Sequence, residues 1–408
     1  MIEITSEHAL GVFNLEQLDL SDPFVTQFKS QCHWALSFKD YSLYGKDEGY
    51  KIVFNPRNER ELHKFSEVFN NLPSSQAGNK INQLTLGPVA FIGMPLDPES
   101  NTTAVVPRHL LIELKDKCFY GHFGNPAQLS PPAKKLTTDL YSIYPVAPLS
   151  QYLEAVKEAI KEIKSSAISK IVISRAVVIE GSANFDKNLI FKDLQKLGEN
   201  YPFLFGNFVG ISPELLIQKT GSSIISAPVA NTISSTDVLN DPLDELLKSE
   251  STRQEHFIVV NWIKNRLEKI CSEITVAKTP QLIKAADVYH LLTPIQATLN
   301  QEDENLSIIS LASYLSPTPA VAGEPQSEAI ELIKKLEPFD RELYSGAVGF
   351  QDCSGNGAFV LALRCANIIG RKAILYAGAG IVKQSDPIKE LEETKHKLRI
   401  MLNTLLNV

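Results

Sequence analysis

Two apolar strands joined by a short polar turn restrict the fold of this chain more than any other feature. Residues 344–350 and 358–364 are the strands, and the segment between them, residues 352–357, reads DCSGNG, a glycine-containing turn. This pattern is typical of an antiparallel hairpin. Elsewhere, strand-like runs are joined by turns as often as by helices. We therefore predict an α+β fold with antiparallel sheets rather than a doubly wound parallel sheet.

Prolines concentrate between Gly121 and Pro148, which reads as a surface connection. This stretch is the best candidate for a boundary, with a link between two halves of one fold as the alternative. We therefore divide the chain into an N-terminal part, residues 1–147, and a region that carries the chemistry, residues 148–408. The first part contains no constellation of reactive side chains.

Composition excludes several classes of function. The formal net charge of −7 argues against a nucleic-acid surface and a basic membrane-binding patch. The five cysteines are dispersed and form no CxxC pattern, which disfavours a disulfide framework and a zinc site. The N-terminus does not resemble a signal peptide, and no apolar run approaches transmembrane length. We expect a soluble cytoplasmic protein.

Near the C-terminus, a strand, a glycine pair and a helix follow one another. Ala373–Ala377 reads as a buried strand, and Gly378-Ala379-Gly380 reads as a loop that brings backbone amides close to a ligand. Asp386 then precedes Pro387, which predicts the beginning of a helix. The order favours a binding site at this point.

The predicted helix places Glu390, Glu393 and Lys397 on one face, because they are spaced i, i+3 and i+7. Two carboxylates and an ammonium group beside backbone amides suggest a site for a metal ion and an anionic ligand. A solvated face with Glu–Lys pairing is the alternative, and these residues alone do not decide between the two.

Glu255 lies on a predicted long helix, with Ile258, Val259 and Trp262 on the same side. A carboxylate on such a face needs a cation or a proton. A core Arg or Lys and a metal ion are equally good partners for Glu255 taken alone. Together with Glu390 and Glu393 it favours a metal, and an all-carboxylate set suits Mg²⁺.

Four further residues are candidates for chemistry, each with a bland alternative. Lys170 begins an apolar strand. It is either a general base or a lysine whose charged end reaches solvent. Glu214 interrupts an apolar run, as a general acid or as an ordinary loop carboxylate. Arg364 ends an apolar strand, where it binds a substrate carboxylate or forms a structural salt bridge. His290 is a core histidine or a substrate contact.

Eight segments, taken in order, resemble motifs of the chorismate-utilising enzymes, the family of isochorismate synthase, salicylate synthase, anthranilate synthase component I and aminodeoxychorismate synthase. The resemblance is strong over residues 148–408 and extends to the first part only in general layout. The segments are KIVISR (170–175), GISPELL (210–216), KSESTRQEH (248–256), YHLLT (289–293), PTPAVAGEP (317–325), EPFDRELYSGAVGF (337–350), LRCA (363–366) and YAGAGIVKQSDPIKELEETKHKL (376–398).

The resemblance implies one large unit of two face-packed antiparallel sheets with helices outside, and a site that binds Mg²⁺. It implies that Lys170 activates water and that Glu214 protonates the departing hydroxyl. It implies metal ligands at Glu255 and Glu393, with Glu390 binding directly or through water. The substrate-binding positions that it implies are Asn231, Thr232, His290, Ala320, Arg364, Tyr376, Gly378 and Lys397.

Within the family, the chain most resembles isochorismate synthase, which adds water at C2 of chorismate and removes the hydroxyl at C4. Ala320 stands where the pyruvate-eliminating lyases usually have threonine. Segments 339–344 and 363–366 resemble synthases that serve 2,3-dihydroxybenzoate siderophores. A menaquinone synthase, a salicylate synthase and a non-catalytic relative are the alternatives.

The chain departs from the family pattern at three positions. Asn231, in the loop expected after the strand at 224–229, and Ala297 replace usual glycines, and Ser316 replaces a usual histidine. Nothing resembles a glutamine amidotransferase domain, so we expect no such subunit and a monomer.

Overall fold

A computed structural model describes residues 2–6, 11–72, 80–81, 84–131, 140–198, 200–234, 243, 246, 250–285 and 288–406. Side chains at positions 6, 80–81, 84, 230–234, 250–255, 284–285 and 288 lie outside this description. The described helices are α1 Pro23–Lys29, α2 Glu59–Asn70, α3 Leu149–Ser165, α4 Lys187–Leu194, α5 Glu250–Leu267, α6 Ile308–Leu315, α7 Gln326–Leu336 and α8 Pro387–Leu406, with a 3₁₀ turn at Gln195–Leu197.

The described strands are β1 Glu3–Ser6, β2 Phe13–Leu18, β3 Trp34–Ser37, β4 Tyr41–Phe54, β5 Lys80–Ile81, β6 Leu84–Thr85, β7 Val89–Met94, β8 Thr102–Leu114, β9 Cys118–Phe123, β10 Tyr141–Pro145, β11 Lys170–Gly181, β12 Tyr201–Phe205, β13 Phe208–Ser212, β14 Leu215–Thr220, β15 Ser223–Ala227, β16 Val229–Ser234, β17 Cys271–Val276, β18 Gln281–Ala285, β19 Val288–Leu292, β20 Ile295–Leu299, β21 Gly323–Glu324, β22 Ala347–Asp352, β23 Gly357–Leu361, β24 Cys365–Ile369 and β25 Lys372–Ile381.

Twenty of these strands form one hydrogen-bonded, antiparallel set that divides into two sheets. The order in the first is β10-β11-β25-β24-β13-β12-β3-β4-β8-β9-β2, and the short strand β21 also pairs with the beginning of β11. The order in the second is β1-β4-β8-β7-β22-β23-β14-β15-β20-β17. The long strands β4 and β8 therefore belong to both sheets.

A change of register marks the place where the chain passes from one sheet to the other. In β4 the pairing with β8 shifts between Glu48 and Tyr50. Before the shift β4 also pairs with β3, and after it with β1. Strands that turn a corner between packed sheets commonly do so at such an irregularity.

The main core lies between the two sheets. It joins Leu43 and Phe203 of the first sheet to Phe91 and Phe350 of the second. A second buried cluster lies on the outer face of the first sheet, where α1, α4 and α8 cover it through residues such as Phe28, Phe191, Leu398 and Met401. The prediction of an α+β fold, with face-packed antiparallel sheets and helices outside, is confirmed.

Three local predictions were wrong. The segment predicted to be a surface connection contains β10, which pairs with β11. β10 is an edge strand, and a proline such as Pro145 is tolerated there although it has no N–H to donate to a neighbouring strand. The loop expected at Asn231 is part of β16, which pairs with β19. The glycine loop Gly378–Gly380 is the continuation of β25, which pairs with β11 through Ser174↔Gly378 and Val172↔Gly380.

The N-terminal residues contribute strands to the interior of both sheets. β3 pairs with β12 and β7 pairs with β22, so these two strands of residues 148–408 each have an N-terminal strand as a neighbour. The hairpin of the sequence analysis is present as β22 and β23. Among the described helices, none has the length and apolarity that a membrane span requires.

Candidate active site

A cavity beside the beginning of β11 brings together side chains from distant parts of the chain. It is lined by Lys170, Val172, Pro213, Glu214, Val229, His290, Ala320, Val321, Tyr344, Ser345, Leu363, Arg364, Tyr376, Ala377, Gly378, Gly380, Glu393 and Lys397. Nine of the predicted site residues are in this set. Glu390 lies one turn before Glu393 and does not line the cavity, while the side chains of Asn231, Thr232 and Glu255 lie outside the described part.

Lys170 is the first residue of β11 and is 1% exposed. Its strand pairs with β25 along the rest of its length and with β21 at Lys170 and Ile171. The alternative of a lysine reaching into solvent therefore does not apply. A buried amine at the end of a doubly paired strand has a well-defined position in the cavity.

Glu214 lies in the turn between β13 and β14 and is 2% exposed. Desolvation raises the pKa of this carboxyl to about 8, although the Val229 backbone N–H, Lys170 and Lys397 each favour the charged form. Its Oε1 is buried and has no hydrogen-bond partner among the described residues. Glu214 thus carries a proton at neutral pH and has an oxygen available to a ligand.

Arg364 lies in the turn between β23 and β24, with a left-handed backbone at φ = 44°. It is buried, which lowers the pKa of its guanidinium to about 10, so it remains charged at neutral pH. Its Nη2 donates to Nε2 of buried His290. This contact connects the guanidinium to a second buried side chain that lines the cavity.

Two left-handed residues border the same cavity. Besides Arg364, Ser345 has φ = 66°. Neither is glycine, and such conformations cost about 1–3 kcal/mol each. The surrounding structure imposes them at the positions that shape the cavity wall.

The acidic face of α8 reaches the cavity through Glu393 and Lys397. Lys397 Nζ lies 2.6 Å from Glu393 Oε1 and donates to Gly378 O at 2.9 Å. The predicted beginning of this helix is confirmed, since Asp386 Oδ1 accepts from the backbone N–H groups of Ile388 and Lys389. The Glu–Lys pair of the alternative reading is present, and both of its residues also line the cavity.

Gly378 is a position where a side chain would intrude. A Cβ there would lie 2.7 Å from Ser174 Oγ and 3.1 Å from the Tyr344 hydroxyl. Its carbonyl points to Lys397 rather than to β11, so its N–H points to the same side of β25. The predicted approach of a ligand to this backbone therefore holds, although the residue lies in a strand.

Glu390 and Glu393 supply the kind of donors that Mg²⁺ prefers, namely hard carboxylate oxygens. The pKa of Tyr152 is raised, mainly by burial and then by the negative charges of Glu390 and Glu393. Both carboxylates therefore lie near the Tyr152 hydroxyl. Within the part of the chain that is described, no group of three or more His, Cys, Asp or Glu side chains is arranged to hold a metal ion. The third predicted ligand, Glu255, is outside that part. The donor chemistry fits Mg²⁺.

The sequence reasoning missed Tyr344 and Ser345, although both lie within a segment matched to the family. Tyr344 stacks on Tyr376 with ring centroids 5.2 Å apart and planes 12° apart. Because apolar residues of β22 follow them, the sequence analysis read residues 344–350 as one apolar strand. The available signal was the two polar residues immediately before that apolar run.

Comparisons with known proteins agree with this geometry. The model of the family "Chorismate binding enzyme" matches residues 125–406. Isochorismate synthase EntC of Escherichia coli is 38% identical over 248 residues, which cover 58% of this chain and 62% of that protein. Isochorismate synthase MenF of Bacillus subtilis is 36% identical over 264 residues, which cover 62% of this chain and 55% of that protein. The matched region thus spans little more than half of each relative.

A solved structure extends the likeness over nearly the whole chain. The Bacillus anthracis protein DhbC, assigned as a 2,3-dihydroxybenzoate-specific isochorismate synthase, is 30% identical with a TM-score of 0.80. The likeness covers 95% of this chain and 99% of that one. The resemblance predicted from sequence motifs is confirmed, and the chain belongs to the chorismate-binding enzyme family.

Proposed function

We propose that this protein is an isochorismate synthase that converts chorismate to isochorismate with Mg²⁺ bound. The observation that carries the proposal is the pairing of a protonated acid, Glu214, with a buried amine, Lys170, in one cavity. Addition of water at one ring carbon and loss of hydroxide at another require a base and an acid together.

The cationic groups of the cavity suit a substrate with two carboxylates. Arg364 and Lys397 bring positive charge, and the Gly378 backbone borders them. Arg364 is charged in a buried position, where its interaction with an anion is stronger than in water. In this proposal these groups hold one carboxylate and orient the ring against Ala320.

The proton transfers balance without a redox partner. Lys170 accepts a proton from the water that attacks C2, and Glu214 donates a proton to the hydroxyl that leaves C4. Return of the proton from Lys170 to Glu214 restores the starting protonation states. Because one water enters and one leaves, the reaction is an isomerisation. In this proposal Glu390 and Glu393, with Glu255, hold the metal, which when bound neutralises a substrate carboxylate.

The names of the relatives support a siderophore role first and a menaquinone role as the alternative. DhbC is described as 2,3-dihydroxybenzoate-specific, and a relative of Vibrio cholerae, 29% identical, as vibriobactin-specific. The five free cysteines support a reducing compartment. We therefore propose that the protein is cytoplasmic. We also propose that it acts as a monomer without an amidotransferase subunit.

Proton NMR of chorismate incubated with the purified protein and Mg²⁺ tests the proposal. Isochorismate should accumulate to an equilibrium mixture, and EDTA should stop its formation. Salicylate with pyruvate would assign the protein to the lyases, a reading that Ala320 in the cavity disfavours. Unchanged chorismate together with a raised melting temperature would indicate a non-catalytic binding protein.

A further inference from the structure

Along part of one edge of β11, side chains supply hydrogen bonds that a neighbouring strand would otherwise make. Towards β25, pairing is continuous from Ile171 to Glu180. On the opposite side, β21 pairs only at Lys170 and Ile171, and β10 pairs only from Val177 onward, among the strands that the structure describes. The stretch between, in which Val172 lines the cavity, needs other hydrogen-bond partners.

Glu337 and Arg341 supply two of those partners. Arg341 Nη2 donates to Val172 O at 2.7 Å, and Glu337 Oε1 accepts from Ser174 N at 2.6 Å. A donor for one residue and an acceptor for the residue two places on is what a neighbouring strand would offer. Together with the carbonyl of Ala322, which accepts from Val172 N at 2.8 Å, the ion pair takes the place of a strand beside Val172 and Ser174.

The same pair also holds two other walls of the cavity. Arg341 Nη1 donates to Val321 O at 3.0 Å and to Ser345 Oγ at 3.3 Å. Val321 is adjacent to Ala320, and Ser345 is one of the two left-handed residues at the cavity. Three separate segments of the cavity wall therefore meet at one guanidinium.

The pair is buried, with side chains only 5% and 2% exposed. Arg341 Nε donates to Glu337 Oε2 at 2.7 Å, and Nη2 donates to Glu337 Oε1 at 2.5 Å. Desolvation of two charges costs several kcal/mol per ion, so such a pair contributes little net stability compared with apolar residues of the same volume. Geometric fixation of the three wall segments is the better account of it.

We propose that Glu337 and Arg341 are positioning residues, which hold Lys170 and the Ala320–Ser345 side of the cavity in the geometry that turnover requires. This role rests on the proposed function. The carboxylate anchors Arg364 and Lys397 lie in other segments, so loss of the pair should affect turnover more than substrate binding. A displacement of about 1 Å at a reacting group costs about 10²-fold in rate.

The test compares Arg341→Lys, Arg341→Met and the double variant Glu337→Leu with Arg341→Met. The double variant exchanges the whole buried pair for apolar residues, so it avoids the isolated charge that threatens folding in a single variant. The matched control is Lys264→Met, which breaks an exposed i,i+4 pair with Glu268 on α5. Melting temperature, kcat and KM for chorismate are measured for each protein.

The expected result is a double variant that unfolds cooperatively, with kcat reduced about 10²-fold and KM changed by less than about threefold. Arg341→Lys, which retains one charged donor, should recover part of the lost kcat. Full kcat in any folded variant lacking the pair would overturn the proposal. Failure of all three variants to fold would assign the pair to stability and overturn it as well.

Wild-type protein and Lys264→Met must first convert chorismate in the same assay. Absence of turnover in both refutes the proposed function. Turnover in both, with equal turnover in the Arg341 variants, refutes the positioning role alone.

Discussion

Burial sets the proton affinity of Glu214. The carboxyl is enclosed, and removal from water raises its pKa to about 8, although Lys170 and Lys397 lie nearby and favour the charged form. An acid with this pKa holds its proton at neutral pH and releases it readily to a leaving hydroxyl. A glutamate exposed on the surface of α8 would be ionised at neutral pH and could not donate a proton to the leaving hydroxyl.

The first prediction concerns the rate. If Glu214 is the general acid, kcat/KM for chorismate is retained below its pKa and falls as the pH rises through about 8. Steady-state kinetics between pH 6 and 10, at saturating Mg²⁺ and constant ionic strength, should show this descending limb. Glu214→Gln should be inactive throughout. A rate that stays flat to pH 9 would contradict the assignment.

The second prediction concerns stability at the same residue. A carboxyl whose pKa rises from 4.5 to about 8 on folding stabilises the protein fully below pH 4.5, and this contribution is lost as the pH rises towards 8. Glu214→Gln has no such loss. Its free energy of unfolding relative to wild type should therefore grow across that interval and level off above it. Urea unfolding of both proteins at several pH values measures this difference, and a constant difference would refute it.

The third prediction concerns Lys170. Lys170→Ala should reduce kcat by about 10²–10⁴-fold, because in the proposed mechanism the attacking water loses its base. The overall fold should persist, since the change lies at the first residue of β11 and leaves its pairing with β25 from Ile171 to Glu180 in place. Lys161→Ala, at an exposed position on α3, is the control. Full activity of Lys170→Ala in a folded protein would remove this residue from the mechanism.

At the scale of single elements, a polar contact close to Glu390 and Glu393 connects α8 to β11. Arg175 Nε donates to Thr394 Oγ1 at 2.7 Å, and Thr394 donates to Leu391 O at 2.7 Å. Thr394 is fully buried and immediately follows Glu393. This contact ties the helix that carries the proposed metal ligands to the strand that carries the proposed base.

The fourth prediction follows from that contact. Thr394→Val leaves Arg175 Nε without this acceptor, which should cost about 1–3 kcal/mol of stability. The Mg²⁺ concentration for half-maximal activity should rise about tenfold, as outer contacts of metal ligands commonly contribute this much. Thr404→Val on the same helix is the control, because the Thr404 hydroxyl donates to Ile400 O within the helix itself. Equal Mg²⁺ dependence in both variants would contradict the prediction.

Across the whole molecule, the two sheets depend on residues from both parts of the chain. β4 and β8 pass through both sheets, and β3 and β7 lie beside β12 and β22. Removing residues 1–147 would expose the edges of two central strands, and such edges promote aggregation. The boundary near residue 148 therefore joins two halves of one folding unit.

The fifth prediction is that residues 148–408 alone do not fold. The fragment should show no cooperative thermal transition and should aggregate in size-exclusion chromatography. A fragment of residues 11–408 is the control, since it lacks only the edge strand β1 among the described strands and should remain folded and active. Cooperative unfolding with turnover in the 148–408 fragment would show that the catalytic region is an independent domain.

Local signals in the sequence were sufficient for several features of the molecule. The turn at residues 352–357 predicted the hairpin of β22 and β23, and Asp386 before Pro387 predicted the beginning of α8. These features depend on residues within one turn of each other, so composition and spacing carry them. The order of motifs similarly identified the family, because each motif is a local pattern.

Only the tertiary structure decided the features that depend on distant partners. Gly378 and Gly380 are strand residues because β11, some 200 positions earlier, pairs with them. The residues next to them in sequence do not predict this pairing. The proton on Glu214 follows from burial among residues of many segments. The strand-like role proposed for Glu337 and Arg341 depends on the gap between β21 and β10 along β11, as the described strands leave it. By itself, the sequence determined the local elements, the fold class and the family; their pairing, burial and convergence on one cavity were decided by contacts that form only in the folded chain.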